Sequence, residues 1–102
     1  MQLFTYLSIN QIDTTVTDDA GVAVTNADVV ITITDRAGTE APGETWPATM
    51  THVADGVYRY TTSVELAEAL AEWTRWKANI TADVGGSPRF SAVPILVLAD
   101  SD

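Results

Sequence analysis

Thr17–Gly38, TDDAGVAVTNADVVITITDRAG, is the stretch from which the rest of the chain is read. It holds two Asp-x-x-Gly corners, Asp18 to Gly21 and Asp35 to Gly38, with a run between them that alternates apolar and polar. The corners could hold a cation or end a strand. Val29, Ile31 and Ile33 fall on one face, and Asp28, Val30, Thr32 and Thr34 on the other. A period of two is the pattern of a half-buried strand. About ten residues at ~3.3 Å each would part the corners by roughly 30 Å. A calcium loop needs several oxygens converging on one point. The corners are therefore read as strand ends, where Asp accepts local backbone hydrogen bonds and Gly supplies a positive φ.

The same period recurs on both sides. Leu3, Thr5, Leu7 and Ile9 alternate with Phe4 and Tyr6, which predicts a first strand or an arm that pairs with a neighbour. Ile12, Thr14 and Val16 continue it after Asn10-Gln11. Thr39 to Pro47, with two prolines and Gly43, reads as a loop carrying Trp46. Ala48 to Val53 alternates as one strand. Asp55-Gly56 predicts a tight hairpin turn with two positive φ values. The strand returns over Val57 to Thr62, with Tyr58 and Tyr60 on one face.

From Ser63 to Trp73 the period changes. Thr62 followed by Glu65 reads as a capping signal. Leu66, Leu70 and Trp73 share one stripe and Glu65, Glu68 and Glu72 another, so a helix of about two turns is predicted. Trp76, Ala78, Ile80 and Ala82 mark the next strand. Phe90 to Leu98 is the last, and Pro94 makes it an edge or a bulged strand. About seven short strands without βαβ alternation predict an all-β chain, an immunoglobulin-like antiparallel β-sandwich with one short crossover helix. Residues 1–13 are the N-terminal strand or arm, 14–99 the sandwich and 100–102 a loose tail.

Asp18-x-x-Gly21-x-x-Val24-x-x-Ala27-x-Val29-x-Ile31 resembles the opening of the transthyretin-like and carboxypeptidase-regulatory-like sandwich modules. Ala23 stands where that pattern usually has proline. Asp55-Gly56-Val57-Tyr58 resembles the Asp-Gly-x-Tyr hairpin later in those modules. The resemblance covers roughly Thr14 to Thr62. It implies an immunoglobulin-like sandwich of a kind found in surface proteins, enzyme accessory domains and tailed-virus virions.

The bulk properties narrow the function. With 102 residues, 46% of them hydrophobic and 19% charged, the chain has the size and make-up of one globular domain. It has no cysteine, so no disulfide or thiolate site. A net charge of −9 would be repelled by nucleic acid and by anionic membranes. Lys77 is the one lysine beside Arg36, Arg59, Arg75 and Arg89. Low lysine with abundant Asp fits a GC-rich genome and solubility at high salt, where charge repulsion is screened. The opening residues lack the basic start and long apolar core of a signal peptide.

No residues assemble into recognisable chemistry. His52 is the one histidine, has no metal-ligand spacing and is read as a surface or hairpin residue. No G-x-S-x-G elbow is present. Gly85-Gly86 lacks the Lys-Ser/Thr of a phosphate loop. The expectation is a non-enzyme with no catalytic residue, no cofactor and no metal. Trp46, Trp73, Trp76, Tyr58 and Tyr60 could form a sugar-stacking platform. Trp73 and Trp76 are read instead as filling the core and its crossover.

Leu3, Phe4, Tyr6 and Trp46 are the protein-contact candidates, with β-augmentation along the first or last strand. The chain is accordingly expected to be a structural protein of a tailed-virus virion: a head decoration, collar/neck or tail accessory subunit made in the host cytoplasm. Its partners would be other virion proteins in multiple symmetric copies, and a homo-oligomer is compatible with this. Removing residues 1–9 would then abolish assembly and leave the sandwich folded. An adhesin or carbohydrate-binding surface module is the alternative, and an enzyme accessory domain a further one.

Overall fold

The computed structural model describes residues 2–5, 8–71 and 73–98. Two sheets face each other across one core. The first has the order β1-β8-β7-β3-β4, formed by β1 (Gln2–Thr5), β8 (Ser87–Leu98), β7 (Arg75–Val84), β3 (Asp28–Thr34) and β4 (Ala48–Thr49). The second has the order β2-β6-β5, formed by β2 (Gln11–Thr15), β6 (Val57–Thr61) and β5 (Thr51–Ala54). Among the described residues one helix, α1 (Val64–Ala69), links β6 to β7. The chain is thus all-β and sandwich-like, as the period of two predicts.

The strand inside the opening stretch is β3. Val29, Ile31 and Ile33 are each at most 1% exposed and lie between the sheets. Ile12, Tyr58 and Tyr60 face them from the second sheet, and Ala78, Ile80, Ile95 and Val97 join from β7 and β8. The two acidic corners are matching turns. Asp18 Oδ1 accepts the Ala20 and Val22 N–H groups at 2.9 and 3.0 Å. Asp35 Oδ1 accepts those of Ala37 and Thr39 at 2.8 and 3.0 Å. Both oxygens serve the chain's own backbone, the role expected of strand ends. At the Asp55-Gly56 hairpin φ is +49° and +78°, the two positive values expected.

Of the two readings of the start of the chain, strand or arm, residues 2–5 form the strand. It pairs in parallel with β8, Phe4 opposite Val97, and closes one edge of the five-stranded sheet. The crossing to the second sheet is held by Asn10, whose Nδ2 donates to the Thr5 and Ser8 carbonyls. Asn10 N–H also donates to the buried Thr62 hydroxyl at 2.8 Å. The expected boundary between residues 13 and 14 falls inside β2.

Ala48 to Val53 is two strands in different sheets, β4 against β3 and β5 against β6. Met50, 3% exposed, is the pivot between them. The helix is capped by Ser63, whose Oγ accepts the Leu66 N–H, and not by Thr62. It ends at Ala69, and the chain then passes through a left-handed Trp73 at φ +61°. Trp73 therefore turns outward, 66% exposed, instead of completing the helical stripe. Trp76 packs partly buried against the core. Glu65 and Glu68 are exposed, as a solvated helix face requires. Tyr6, Leu7, Glu72 and the tail 100–102 lie outside the described residues.

Pro94 shows why the last strand carries a proline. β8 pairs with β7 from Ser87 to Leu96 in unbroken register, and with β1 only from Ile95 onward. Pro94 is thus the last residue before β8 becomes an interior strand. Its missing N–H interrupts no bond to β1.

Candidate protein-docking face

β8 is apolar on both sides along much of its length. Its inward residues Val93, Ile95 and Val97 pack in the core. Its outward residues are Pro88, Phe90, Ala92, Pro94, Leu96 and Leu98, without a polar side chain among them. An antiparallel strand with one face in water normally carries polar residues there. Phe90 is instead 79% exposed. Leu3 on β1 lies beside Leu96 in register and is 54% exposed, which extends the stripe to the next strand.

Across from this stripe, β7 presents its odd residues. Arg75 is opposite Leu96, Lys77 opposite Pro94, Asn79 opposite Ala92, Thr81 opposite Phe90 and Asp83 opposite Pro88. On β3 the outward set ends in Asp28, directly across from Asp83. The outer face of the sheet is therefore apolar along β8 and at Leu3 of β1, cationic at one end of β7 and anionic at the other. From Ser87 to Pro94 β8 also has only β7 beside it among the described strands, so a backbone edge borders the apolar stripe.

At the cationic end a depression of about 320 Å³ is lined by Asp35, Arg36, Arg75, Trp76, Lys77 and Pro94. A shallower one of about 540 Å³ adjoins it and reaches Trp73 and Thr74. Among the described residues, Arg36, Arg75 and Lys77 make no ion pair, whereas the other two arginines do. Arg59 meets Asp13 across β2 and β6 at 2.8 Å, and Arg89 meets Asp19 at 3.0 Å. The Arg59 guanidinium, by hydrogen bond and by charge, holds the Asp13 carboxyl below its usual range.

The residues expected to make contacts are dispersed. Leu3 lies on the face just described. Phe4 does not: it is 1% exposed and fills the core, because alternation on β1 sends it inward when Leu3 points out. Tyr6 lies outside the described residues. Trp46 is half-buried. Its indole N–H donates to the Ala41 carbonyl at 2.8 Å, and its ring lies 5.9 Å from that of Tyr60. It fastens its loop to the sandwich. The Tyr60 hydroxyl, 3.0 Å from Glu44 Oε2, is pushed well above the usual tyrosine range by burial and by that carboxylate.

Tyr58 and Tyr60 are buried, so the five-ring sugar platform does not assemble. His52 is exposed, and its Nε2 accepts the Gly56 N–H of the hairpin turn at 3.3 Å. Phe90, Pro94 and Leu96 were not among the expected contact residues. The signal for them is the unbroken apolar set at alternate positions from Pro88 to Leu98.

Comparison of the chain with protein-family models finds no match, and comparison with curated proteins finds no relative.

Proposed function

We propose that this chain is a non-enzymatic assembly subunit that docks other proteins through the outer face of its five-stranded sheet, as a structural protein of a tailed-virus particle. The observation that carries the reading is the exposed stripe Phe90, Ala92 and Pro94, continued by the half-buried Leu96 and the exposed Leu3. Contiguous exposed apolar surface on a small domain marks an interaction site. The remaining conspicuous side chains have structural work: His52 holds a hairpin turn, Asp18 and Asp35 hold strand-end turns, and Trp46 holds a loop. The two-sheet architecture and the Asp55–Tyr58 hairpin support placing the chain with the immunoglobulin-like and transthyretin-like modules. A surface of net charge −9 suits a position away from packaged DNA. Repeated copies on a symmetric particle would supply avidity to a modest contact.

The test joins genetics to assembly. The reading expects capsid, portal or tail genes beside this one. Particles assembled with a Phe90→Asp chain should lack it, while the variant alone keeps the wild-type melting temperature. Normal incorporation of that variant would overturn the docking face.

One observation favours a second reading, a carbohydrate-binding surface module: Trp73 stands open beside Trp76 in the cationic depression. A glycan array read against Trp73→Ala separates the two, because the assembly reading predicts no sugar dependence.

A further inference from the structure

The charges on the docking face are unmatched within one chain. Asp28 and Asp83 oppose each other directly across β3 and β7, and like charges so placed repel. About a strand's length away, Arg75 and Lys77 stand on the same face of β7, with Arg36 beside them. None of these three cations has an ion-pair partner among the described residues. Asp35 is the one carboxylate in their depression, so three cations meet one anion there; its Oδ1 accepts two backbone N–H groups, as Asp83 Oδ1 accepts that of Gly86 at 2.8 Å. One end of the face is thus in excess of negative charge, the other of positive charge, and the apolar stripe runs alongside.

We infer that the occupant of this face is a second copy of the same chain, packed face to face with its strands reversed. The inference rests on the docking reading above and names its partner. A two-fold axis lying in the interface, crossing the strands at the Asn79–Ala92 pair, sets β7 against β7 and β8 against β8. Residue offsets along the registered strands then fix the pairs. Arg75 of each copy meets Asp83 of the other, and Phe90 of each meets Pro94 of the other. Leu96 meets Pro88, Ala92 meets Ala92, and Asp28 lies toward Arg36. Such an interface is self-complementary, as two-fold symmetry demands, and aligned sheets pack this way with apolar side chains interleaved. β7 and β8 face their copies over about ten residues and β3 over about seven, at ~3.3 Å each and ~4.8 Å apart, while the two short β1 strands fall at opposite ends, so two copies would bury roughly 850 Å². That is the size of a weak, reversible contact, for which the charge pairs supply the register.

The test uses the full chain in sedimentation velocity. Wild type should form a dimer that weakens as salt rises. Arg75→Asp and Asp83→Arg should each raise the dissociation constant at least tenfold, because each sets like charges in contact. An equimolar mixture of the two variants should recover the dimer, since both of its cross-pairs are then Asp against Arg. Melting temperatures within a few degrees of wild type exclude misfolding as the cause. A wild type that stays monomeric at all concentrations and salts overturns the second copy as occupant. If Phe90→Asp still blocks incorporation into particles in that case, the docking face stands with a different partner. A dimer that neither single variant weakens, or that the mixture fails to restore, overturns the reversed register.

Discussion

Truncating Phe4 to alanine distinguishes a built-in first strand from a detachable arm. The ring is 1% exposed and sits on β1 opposite Val97. Removing a fully buried phenylalanine typically costs about 3–5 kcal/mol, from lost transfer energy plus the cavity left behind. Against a total stability of about 5–15 kcal/mol for a domain, that is a large fraction. For a chain of this size it corresponds to a fall in melting temperature of roughly 12 °C or more. Leu3, one residue away and 54% exposed on the other face, should lose no more than about 0.5 kcal/mol when changed to alanine. Urea titration followed by tryptophan fluorescence reads both values, with the slope against urea unchanged if unfolding stays two-state. Equal, small losses for Phe4→Ala and Leu3→Ala would refute the reasoning, because they would mean that β1 is not laid on the core. By the same argument, deleting residues 1–9 destabilises the sandwich, contrary to the expectation drawn from the sequence.

Tyr58→Phe removes a hydroxyl that donates to the Val24 carbonyl at 2.8 Å and accepts the Ala27 N–H at 3.0 Å. The expected cost is about 1–3 kcal/mol, and hydrogen exchange at the Ala27 amide should speed up; unchanged exchange there would contradict the tie. Gly56→Ala should destabilise by more than about 1 kcal/mol. Its φ is +78° and a Cβ would come within 2.7 Å of the Val16 carbonyl, so equal stability in a thermal melt would remove that contact from the account. Asp13 gives a pH signature. Its folded pKa is depressed by Arg59, so the stability it contributes is present above the ordinary value of 3.8 and lost as pH falls through the folded value. Both side chains are more than a third exposed, so solvent screens the pair and its contribution is small. Over that window wild type should lose slightly more stability than Asp13→Asn; parallel pH profiles would show that the pair contributes nothing.

What could be read from the residues was what local pattern encodes. Val29, Ile31 and Ile33 announce a buried strand face, and the Asp corners and Asp55-Gly56 announce turns whose hydrogen bonds span only a few residues. What could not be read was decided at long range. Ala48 to Val53 alternates without interruption, because a period of two states that a face exists but not which sheet it belongs to; the switch at Met50 leaves no trace in the pattern. Phe4 and Leu3 are both large and apolar, and only pairing with β8, some ninety residues away, determines which turns inward. Trp73 fits the spacing of Leu66 and Leu70, yet the helix stops before reaching it. The docking face was partly legible. Alternate positions from Pro88 to Leu98 are apolar on the outer side, but Arg89 and Ser91 interrupt the inner side and Pro94 breaks the strand pattern, so the residues alone do not say which side faces out.

Hydroxyl-radical footprinting of the chain, dilute and in its associated state, tests most directly whether association runs through the outer face of the five-stranded sheet. Phe90, Pro94 and Leu96 should lose labelling on association, while Val22 and Val53, exposed elsewhere at 59% and 47%, keep theirs. Protection at Val22 or Val53 with Phe90 still fully labelled would contradict the account.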